Sequence, residues 1–448
     1  MSNFTTPDEA DRIRVLFADQ LGLARGKYLP RKFAQNGEAR FCKGAYAVTY
    51  AKDLIDAPGA GLAEGLPDIE AVFDMSDLRQ GWEPGTAIAL ADLKDGGEPF
   101  GLCGRSSLKS VIEKWTNKGV QSKSVLKKRG AKGLKPMIGF EAEAYIFQRD
   151  ENRKWVPYDT PGSFVYGTGP FADPAGLTDL IWETAETCGL SLESMNAEYD
   201  SPQFELTMSF DEALKACDDF FLFKLMAREV LFKRGYLLSF MPKPILNLSG
   251  TGLHLNLSFQ DSSGDNIFRR KTETGPLPEI MAGCTAGLVK HHEALGGLLA
   301  PTVNSYARLQ PASLSGYWAN WGYDHRGVAV RISAETGSGS RIEHRVADCA
   351  VSPYIAASAM LNAALLGVEN NYDLPPAETG DGLETVNTDR HIAADLGASL
   401  DNLENDKSLC EAVGQLLIDN YIAIKRMEIK ELDGQDHDGI FTYYAPFI

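Results

Sequence analysis

Six side chains able to hold a hard cation stand in segments that otherwise read as apolar strand. In Ile138-Gly139-Phe140-Glu141-Ala142-Glu143-Ala144-Tyr145-Ile146-Phe147, Glu141 and Glu143 lie two apart, so a strand turns both to one face. Two ionised carboxylates side by side repel and lose hydration. A bridging cation relieves that cost, and so does an edge strand with one wet face. The pattern recurs at Glu198 and Glu205, which flank the turn Tyr199-Asp200-Ser201-Pro202-Gln203, with Phe204 and Leu206 around the second acid. In Ser249-Gly250-Thr251-Gly252-Leu253-His254-Leu255-Asn256-Leu257-Ser258 the glycines let backbone approach a ligand. His254 sits there in a strand-like run, where a histidine serves either as a ligand or as a hydrogen-bonded core residue. Arg341-Ile342-Glu343-His344-Arg345 alternates, placing Arg341, Glu343 and Arg345 on one face.

Five glutamates and one histidine form an oxygen-rich set that suits magnesium or manganese better than zinc or copper. Two ions are needed to balance so many carboxylates. Arg308, Arg326, Arg331, Arg341 and Arg345 follow one another closely in the same part of the chain. The guanidinium fork matches phosphate and carboxylate. Divalent metals with arginines are the equipment of phosphoryl transfer, where positioning and charge neutralisation supply most of the catalysis. The chain has no Walker-type Gly-x-x-x-x-Gly-Lys-Ser/Thr and no kinase signature, so any nucleotide site is of another design.

The elements that must position these groups follow from periodicity. Val15–Ala18 reads as a strand with a turn at 20–23, and Ala87–Ala91 as another, followed by a turn at Lys94–Gly97. Leu108, Val111, Ile112 and Trp115 recur at helical spacing, so a helix starts near Ser106 or Ser107. A domain boundary is placed there, giving a β-rich unit over residues 1–104 and a larger α/β unit over 105–448. The stretch around Lys127, Lys128, Arg129 and Lys132 reads as a solvated basic loop. Strands are expected over Pro136–Phe147, up to Thr207, over Tyr236–Met241 and over Leu253–Phe259. Helices are expected over about 174–189, 211–234, 278–298, 352–368 and 408–430.

The chain has 448 residues, 44% of them hydrophobic and 23% charged, with a net charge of -17. That balance supports a large core and argues against a nucleic-acid partner, which favours a basic stripe. No basic start with an apolar core marks a signal peptide, and no apolar run has the length to span a bilayer. Cys42, Cys103, Cys188, Cys217, Cys284, Cys349 and Cys410 are odd in number and scattered. A reducing cytoplasm is the expected compartment.

The order of these motifs resembles the glutamine synthetase family over nearly the whole chain. The resemblance rests on Glu141 and Glu143, the Glu198-to-Glu205 block ending Gln203-Phe204-Glu205, and Gly250-Thr251-Gly252-Leu253-His254. Asn304-Ser305-Tyr306-Ala307-Arg308-Leu309 and Arg341-Ile342-Glu343-His344-Arg345 complete the order, and Phe240-Met241-Pro242-Lys243-Pro244 fits the segment before the glycine motif. It implies an α+β fold: a small N-terminal β-grasp domain and a catalytic domain built on a curved antiparallel sheet surrounded by helices. It further implies ring-shaped homo-oligomers, usually dodecamers, with sites between neighbouring subunits. Glu143, Glu198 and Glu205 then match ligands of one metal, and Glu141, His254 and Glu343 those of a second among the ATP phosphates. Arg308 and Arg345 match residues that hold the glutamate carboxylates and acyl phosphate, and Gly250 a backbone contact to the amino acid. Arg326, Arg331 and Arg341 match the phosphate-facing group, with Asn256 and Ser258 bordering the nucleotide. The implied reaction makes γ-glutamyl phosphate from glutamate and ATP, and an amine then attacks it.

Several positions depart from the family pattern. Where ammonium-using members carry a glutamate on the flap after Arg308, this chain has Leu314. Where they carry an aspartate in an N-terminal turn, the alignment Lys43-Gly44-Ala45-Tyr46 puts Lys43. Both changes disfavour ammonium. The expected acceptor is therefore a substituted amine; the alternatives are a true glutamine synthetase in which another acid binds ammonium, and a non-enzymatic relative. Pro202 stands where glycine is usual, and Asn256 replaces a second histidine. Tyr372-Asp373-Leu374-Pro375-Pro376 resembles a loop that some bacterial members adenylylate, although a plain surface loop is the favoured reading.

Overall fold

The computed structural model describes residues 6–117 and 133–448; the expected loop around Lys127, Lys128, Arg129 and Lys132 lies outside them. Eight strands come first: β1 (Arg12–Ala18), β2 (Ala24–Pro30), β3 (Glu38–Cys42), β4 (Asp68–Val72), β5 (Arg79–Gln80), β6 (Thr86–Leu90), β7 (Asp92–Asp95) and β8 (Glu98–Pro99). They form two four-stranded sheets in the orders β2-β1-β6-β5 and β3-β4-β7-β8. The apolar runs at Val15–Ala18 and Ala87–Ala91 are the buried parts of β1 and β6, which pair in parallel. Lys94 faces Pro99 and Asp95 faces Glu98 across the expected turn. Gly96 and Gly97 at its tip have φ of 60° and 87°, the positive values that a two-residue hairpin turn needs to match the right-handed twist of its strands.

The second region is organised by one long strand. The ten strands are β9 (Lys135–Arg149), β10 (Trp155–Pro157), β11 (Leu192–Ala197), β12 (Gln203–Met208), β13 (Asp211–Glu212), β14 (Leu237–Ser239), β15 (Leu253–Gln260), β16 (Trp321–Tyr323), β17 (Val330–Ile332) and β18 (Ile342–His344). They join one sheet in the order β11-β12-β9-β15-β18-β17-β16, with β10, β13 and β14 also pairing with β9. All pairs are antiparallel except β16 with β17. Alternation gives the sheet one apolar face: Phe140, Ala142, Ala144, Leu253, Leu255, Leu257 and Phe259 are all buried. Helices cover it. Phe220 of the helix Ala213–Lys233 stacks on Phe140 with centroids 4.6 Å apart, and Trp115 of the helix Gly104–Asn117 lies 4.3 Å from Phe259. The opposite face is left for polar side chains. The expected α+β class holds, with a sheet-rich N-terminal region ahead of the larger region. No helix among the described residues is long and apolar enough to cross a membrane.

Where periodicity misleads, single residues interrupt a continuous apolar pattern. The helix expected over 278–298 is two, Glu279–Lys290 and His292–Leu299, separated at His291, whose φ of -95° and ψ of 13° leave the helical range. The helix expected over 408–430 is also two, Lys407–Val413 and Gln415–Glu431. Gly414 between them has φ 129°, which a residue with a side chain resists. The strand expected over Tyr236–Met241 keeps only its centre. Helices Leu396–Asn405 and His437–Tyr444 were not expected.

The two regions are tied by buried charge. Arg105 donates from Nε and Nη2 to the two carboxylate oxygens of buried Asp218 at 2.9 and 2.8 Å, and it also pairs with Asp92 of β7. The Tyr354 hydroxyl donates to Asp218 at 2.7 Å. Removing the guanidinium strands a carboxylate away from water, a loss on the order of 3 kcal/mol. Arg105→Ala is expected to lower the thermal midpoint markedly, and adding Asp218→Asn to recover part of it. A double variant no better than the single one contradicts this pairing.

Candidate active site

Strand register converges the six side chains. On β9, Glu141 lies opposite His254 of β15, and Glu143 opposite Glu205 of β12. Glu343 of β18 lies opposite Asn256 of β15, two residues along from His254. Directly opposed residues share a face, so these groups occupy the polar side of the sheet whose other side is the core. Glu198 comes from the turn after β11, where its N–H donates to the Gln203 carbonyl at 2.8 Å. The Pro202 substitution leaves Glu198 within reach of the other acids.

The six fall into two triads, Glu141–His254–Glu343 and Glu143–Glu198–Glu205, each with ligand atoms within 4.8 Å of one another. His254 Nδ1 is 3.3 Å from Glu141 Oε2 and 3.6 Å from Glu343 Oε1. Glu143 Oε2 accepts from Gly252 N at 2.8 Å and Gln203 Nε2 at 2.9 Å. A Cβ on Gly252 would stand 2.9 Å from Arg308 Nη2, 3.3 Å from His254 Nε2 and 3.4 Å from Glu143 Oε1. Glycine is what lets the loop thread between the triads and the arginine.

The triads differ in charge balance. Burial and the neighbouring Glu198, Glu141 and Glu143 push Glu205 up to about 8, and burial and Glu143 also raise Glu198. Burial works to raise Glu141 as well, but hydrogen bonds from His254 and Asn256 prevail and bring it to about 2. Glu343 is likewise lowered against its burial, by His254, Arg345 and Arg331. The all-carboxylate triad therefore holds acids that resist ionising together, which is the environment that a divalent hard cation relieves. The donor sets fit magnesium or manganese.

The expected arginines line this face unequally. Arg331 Nη1 donates to Glu343 at 2.7 Å and its fork also engages Asp324. Arg345 Nη1 pairs with Glu343, and its Nη2 donates to the Leu314 carbonyl at 3.3 Å. The buried Arg345 Nε has no acceptor among the described residues. Arg341 Nε donates to Asn256 Oδ1 at 3.0 Å, and Asn256 donates to Glu141 at 2.8 Å. Buried Arg308 donates to the carbonyls of Val346 and Arg345 at 2.8 and 3.1 Å. Its stem fills the space a Gly250 Cβ would need, 2.6 Å from Cγ. Arg326 is exposed and acts through its field, favouring ionised Glu198 and Glu205. Ser258 is half-buried farther along the His254 face of β15. Leu314 is 53% exposed, and its carbonyl is held by Arg345.

Lys43 is the exception. Within one chain it does not join these groups: its ammonium pairs with Asp95 at 2.6 Å and lies over the Phe100 ring. Asp95 balances its charge within the chain. Tyr372 is half-buried beside His291, with ring centroids 5.8 Å apart. In the sequence Gln203 stands out only as part of the Gln203-Phe204-Glu205 motif. Its buried amide bonds both Glu143 and the Gly250 carbonyl, at 2.9 and 3.0 Å. The readable signal was its place two residues before Glu205 on one strand, hence on the same face.

Glu205 gives a test independent of activity. Folded, it binds its proton more tightly than the unfolded chain does, so its contribution to stability is present below about 4.5 and is lost as pH rises through about 8. In EDTA, Glu205→Gln is expected to flatten that alkaline loss and raise the thermal midpoint. With manganese chloride, wild type should gain more stability than the variant. Equal metal responses in the two proteins would refute the cage.

Comparisons with known proteins agree with this geometry. Residues 120–444 match the family described as glutamine synthetase, catalytic domain. Glutamine synthetase of Pyrococcus abyssi is 31% identical over 436 residues, covering 93% of this chain and 89% of that protein. Glutamate–isopropylamine ligase of Pseudomonas sp is 27% identical over 447 residues, covering 96% and 94%. Among solved structures, a GmaS/ADP complex superposes with a TM-score of 0.79 at 26% identity, covering 96% and 95%. A glutamine synthase homologue superposes at 0.81 with 23% identity over the full length of both chains, which speaks for the fold. The chain belongs to the glutamine synthetase family and is an ATP-dependent carbon–nitrogen ligase.

Proposed function

We propose that this ligase phosphorylates the γ-carboxylate of glutamate with ATP and passes the γ-glutamyl group to a substituted amine in preference to ammonium. The observation that carries the preference is exposed, apolar Leu314 beside Arg345, where an ammonium site calls for an acid. The relative named glutamate–isopropylamine ligase supports the same reading. The 31% identity to Pyrococcus abyssi glutamine synthetase supports the second reading, ammonium as acceptor.

In this reading Glu143, Glu198 and Glu205 hold one magnesium or manganese ion, and Glu141, His254 and Glu343 hold another. Bound, these ions supply charge neutralisation at phosphate oxygens. Arg308 and Arg345 hold the carboxylates of glutamate, and the spare Arg345 Nε–H is a donor awaiting an anionic oxygen. Gly250 offers backbone to the amino acid. Arg326, Arg331 and Arg341 face the phosphates, with Asn256 and Ser258 along the nucleotide. Fixed guanidinium groups lower the energy of charge gathering on the transferred group without reorganising. The reading places all six ligands in a catalytic domain over residues 105–448, behind an N-terminal domain over 1–104. It includes a cytoplasmic homo-oligomeric ring, dodecameric in the usual family pattern, in which a neighbour's N-terminal region closes the amine side.

Phosphate release with ATP, magnesium and glutamate tests the reading. Methylamine, ethylamine, ethanolamine or isopropylamine should outperform ammonium, and Glu343→Gln should abolish release. Leu314→Glu should shift the kcat/KM ratio toward ammonium by roughly tenfold, less than the full attraction of close charges because the position is exposed to solvent. Preferential use of ammonium by the wild type would overturn the acceptor assignment.

A further inference from the structure

A cavity of about 60 Å³ lies at the seam between the two regions, and none of the six side chains of the triads lines it. Its walls are residues 21–24 in the turn between β1 and β2, one face of the helix Ala213–Lys233, and Ala350 and Pro353 beyond β18. The helix contributes Phe221, Lys224, Leu225 and Arg228, whose spacing of three and four turns them the same way. Lys224 and Arg228 are the charged groups of the lining, and no acid lines it among the described residues. Lys224 donates to the Cys349 carbonyl, and Arg228 to the carbonyls of Leu238, Phe447 and Ala445. Asp348 acts on Lys224, and Glu229 on Arg228, through their fields without an ion-pair contact. The Glu229 oxygens are already bound by Arg14 and Trp82. Burial, with the repulsion of Arg228 added, brings the Lys224 ammonium down to about 8, and burial brings Arg228 down to about 10. The start of the helix Pro353–Glu369 adds a third element. Ser352 is its N-cap, yet its hydroxyl caps no backbone N–H. That hydroxyl belongs to a residue 2% exposed and has no partner among the described residues. The β1–β2 turn packs on it, since a Cβ on Gly22 would stand 3.0 Å from Ser352 Cα.

Two cations without a contacting counter-ion, an unpartnered hydroxyl and the positive end of a 17-residue helix are equipment for holding an anion. By the space that one water needs, the cavity has room for roughly four, which suits a compact oxyanion and is too little for a nucleotide. We propose that this cavity binds inorganic phosphate, held by Lys224, Arg228 and Ser352. The site lies apart from the triads and does not rest on the function proposed above. An anion there ties the β1–β2 turn of the first region to two helices of the second. Through Lys224 it also meets the Cys349 backbone, and the Cys349 thiol donates to the Gly252 carbonyl at 3.2 Å in the glycine loop.

Thermal midpoints of the full chain, measured against inorganic phosphate in EDTA without nucleotide, test the site. Ionic strength is held constant with gluconate, an anion too large for the cavity. Wild type should gain stability along a saturating curve. Lys224→Gln keeps a donor for the Cys349 carbonyl and removes the charge. Its half-saturation should need on the order of tenfold more phosphate, as loss of a charged hydrogen bond implies. Lys224→Arg, which keeps the charge, should stay within about threefold of wild type. Ser352→Ala should weaken the response as well, and it decides the matter if Lys224→Gln does not fold. The same half-saturating phosphate in wild type, Lys224→Gln and Ser352→Ala would place the anion elsewhere, on the face that carries the triads, and overturn the proposal. A wild type that gains no stability from phosphate would overturn it too.

Discussion

The mutual repulsion of carboxylates on one face of one sheet is the constraint around which the rest of this structure is arranged. Glu143, Glu198 and Glu205 cannot all ionise comfortably together, as the upward displacement of Glu205 to about 8 shows. A fold pays that cost only where something else removes it, and a divalent cation held by hard oxygen ligands does. The neighbouring triad solves the same problem differently, with His254 between two glutamates and Arg331 and Arg345 on Glu343. Two groups of different charge balance therefore stand side by side, one all carboxylate and the other balanced by a histidine and two arginines.

Rigidity explains how so strained an arrangement persists. The acids lie on strands whose opposite side chains are fully buried, so each carboxylate is fixed by the packing of its neighbours in the chain. β9 supplies Glu141 and Glu143 and pairs with both β12 and β15, which makes it the common frame for four of the six side chains. Only Glu198 comes from a turn, and that turn is pinned through Gln203 and Asp200 to the glycine loop. The polar network and the apolar core are two faces of the same strands.

Much of this was legible in the sequence because strand chemistry is periodic. An acid in an apolar strand announces itself, and its face follows from the alternation, so Glu141, Glu143, Glu205, His254 and Glu343 could be placed before any coordinates. Turn chemistry has no such period, so the sequence names Asp200 only as part of a turn and does not reveal its bond to the Ser249 amide. Helix limits failed for a related reason: the apolar pattern runs straight through His291 and Gly414, and only a local backbone conformation stops the helix there. Lys43 shows another limit. Its ion pair with Asp95, more than fifty residues later, follows from no local pattern in the sequence.

The central claim is that these six side chains bind two divalent ions. Calorimetric titration of the metal-free protein with manganese, in the presence of ADP, tests it most directly. Two manganese ions per chain should bind to the wild type, and one tight site should disappear in Glu205→Gln while the other remains. A stoichiometry of zero, or two sites untouched by that substitution, would contradict the account.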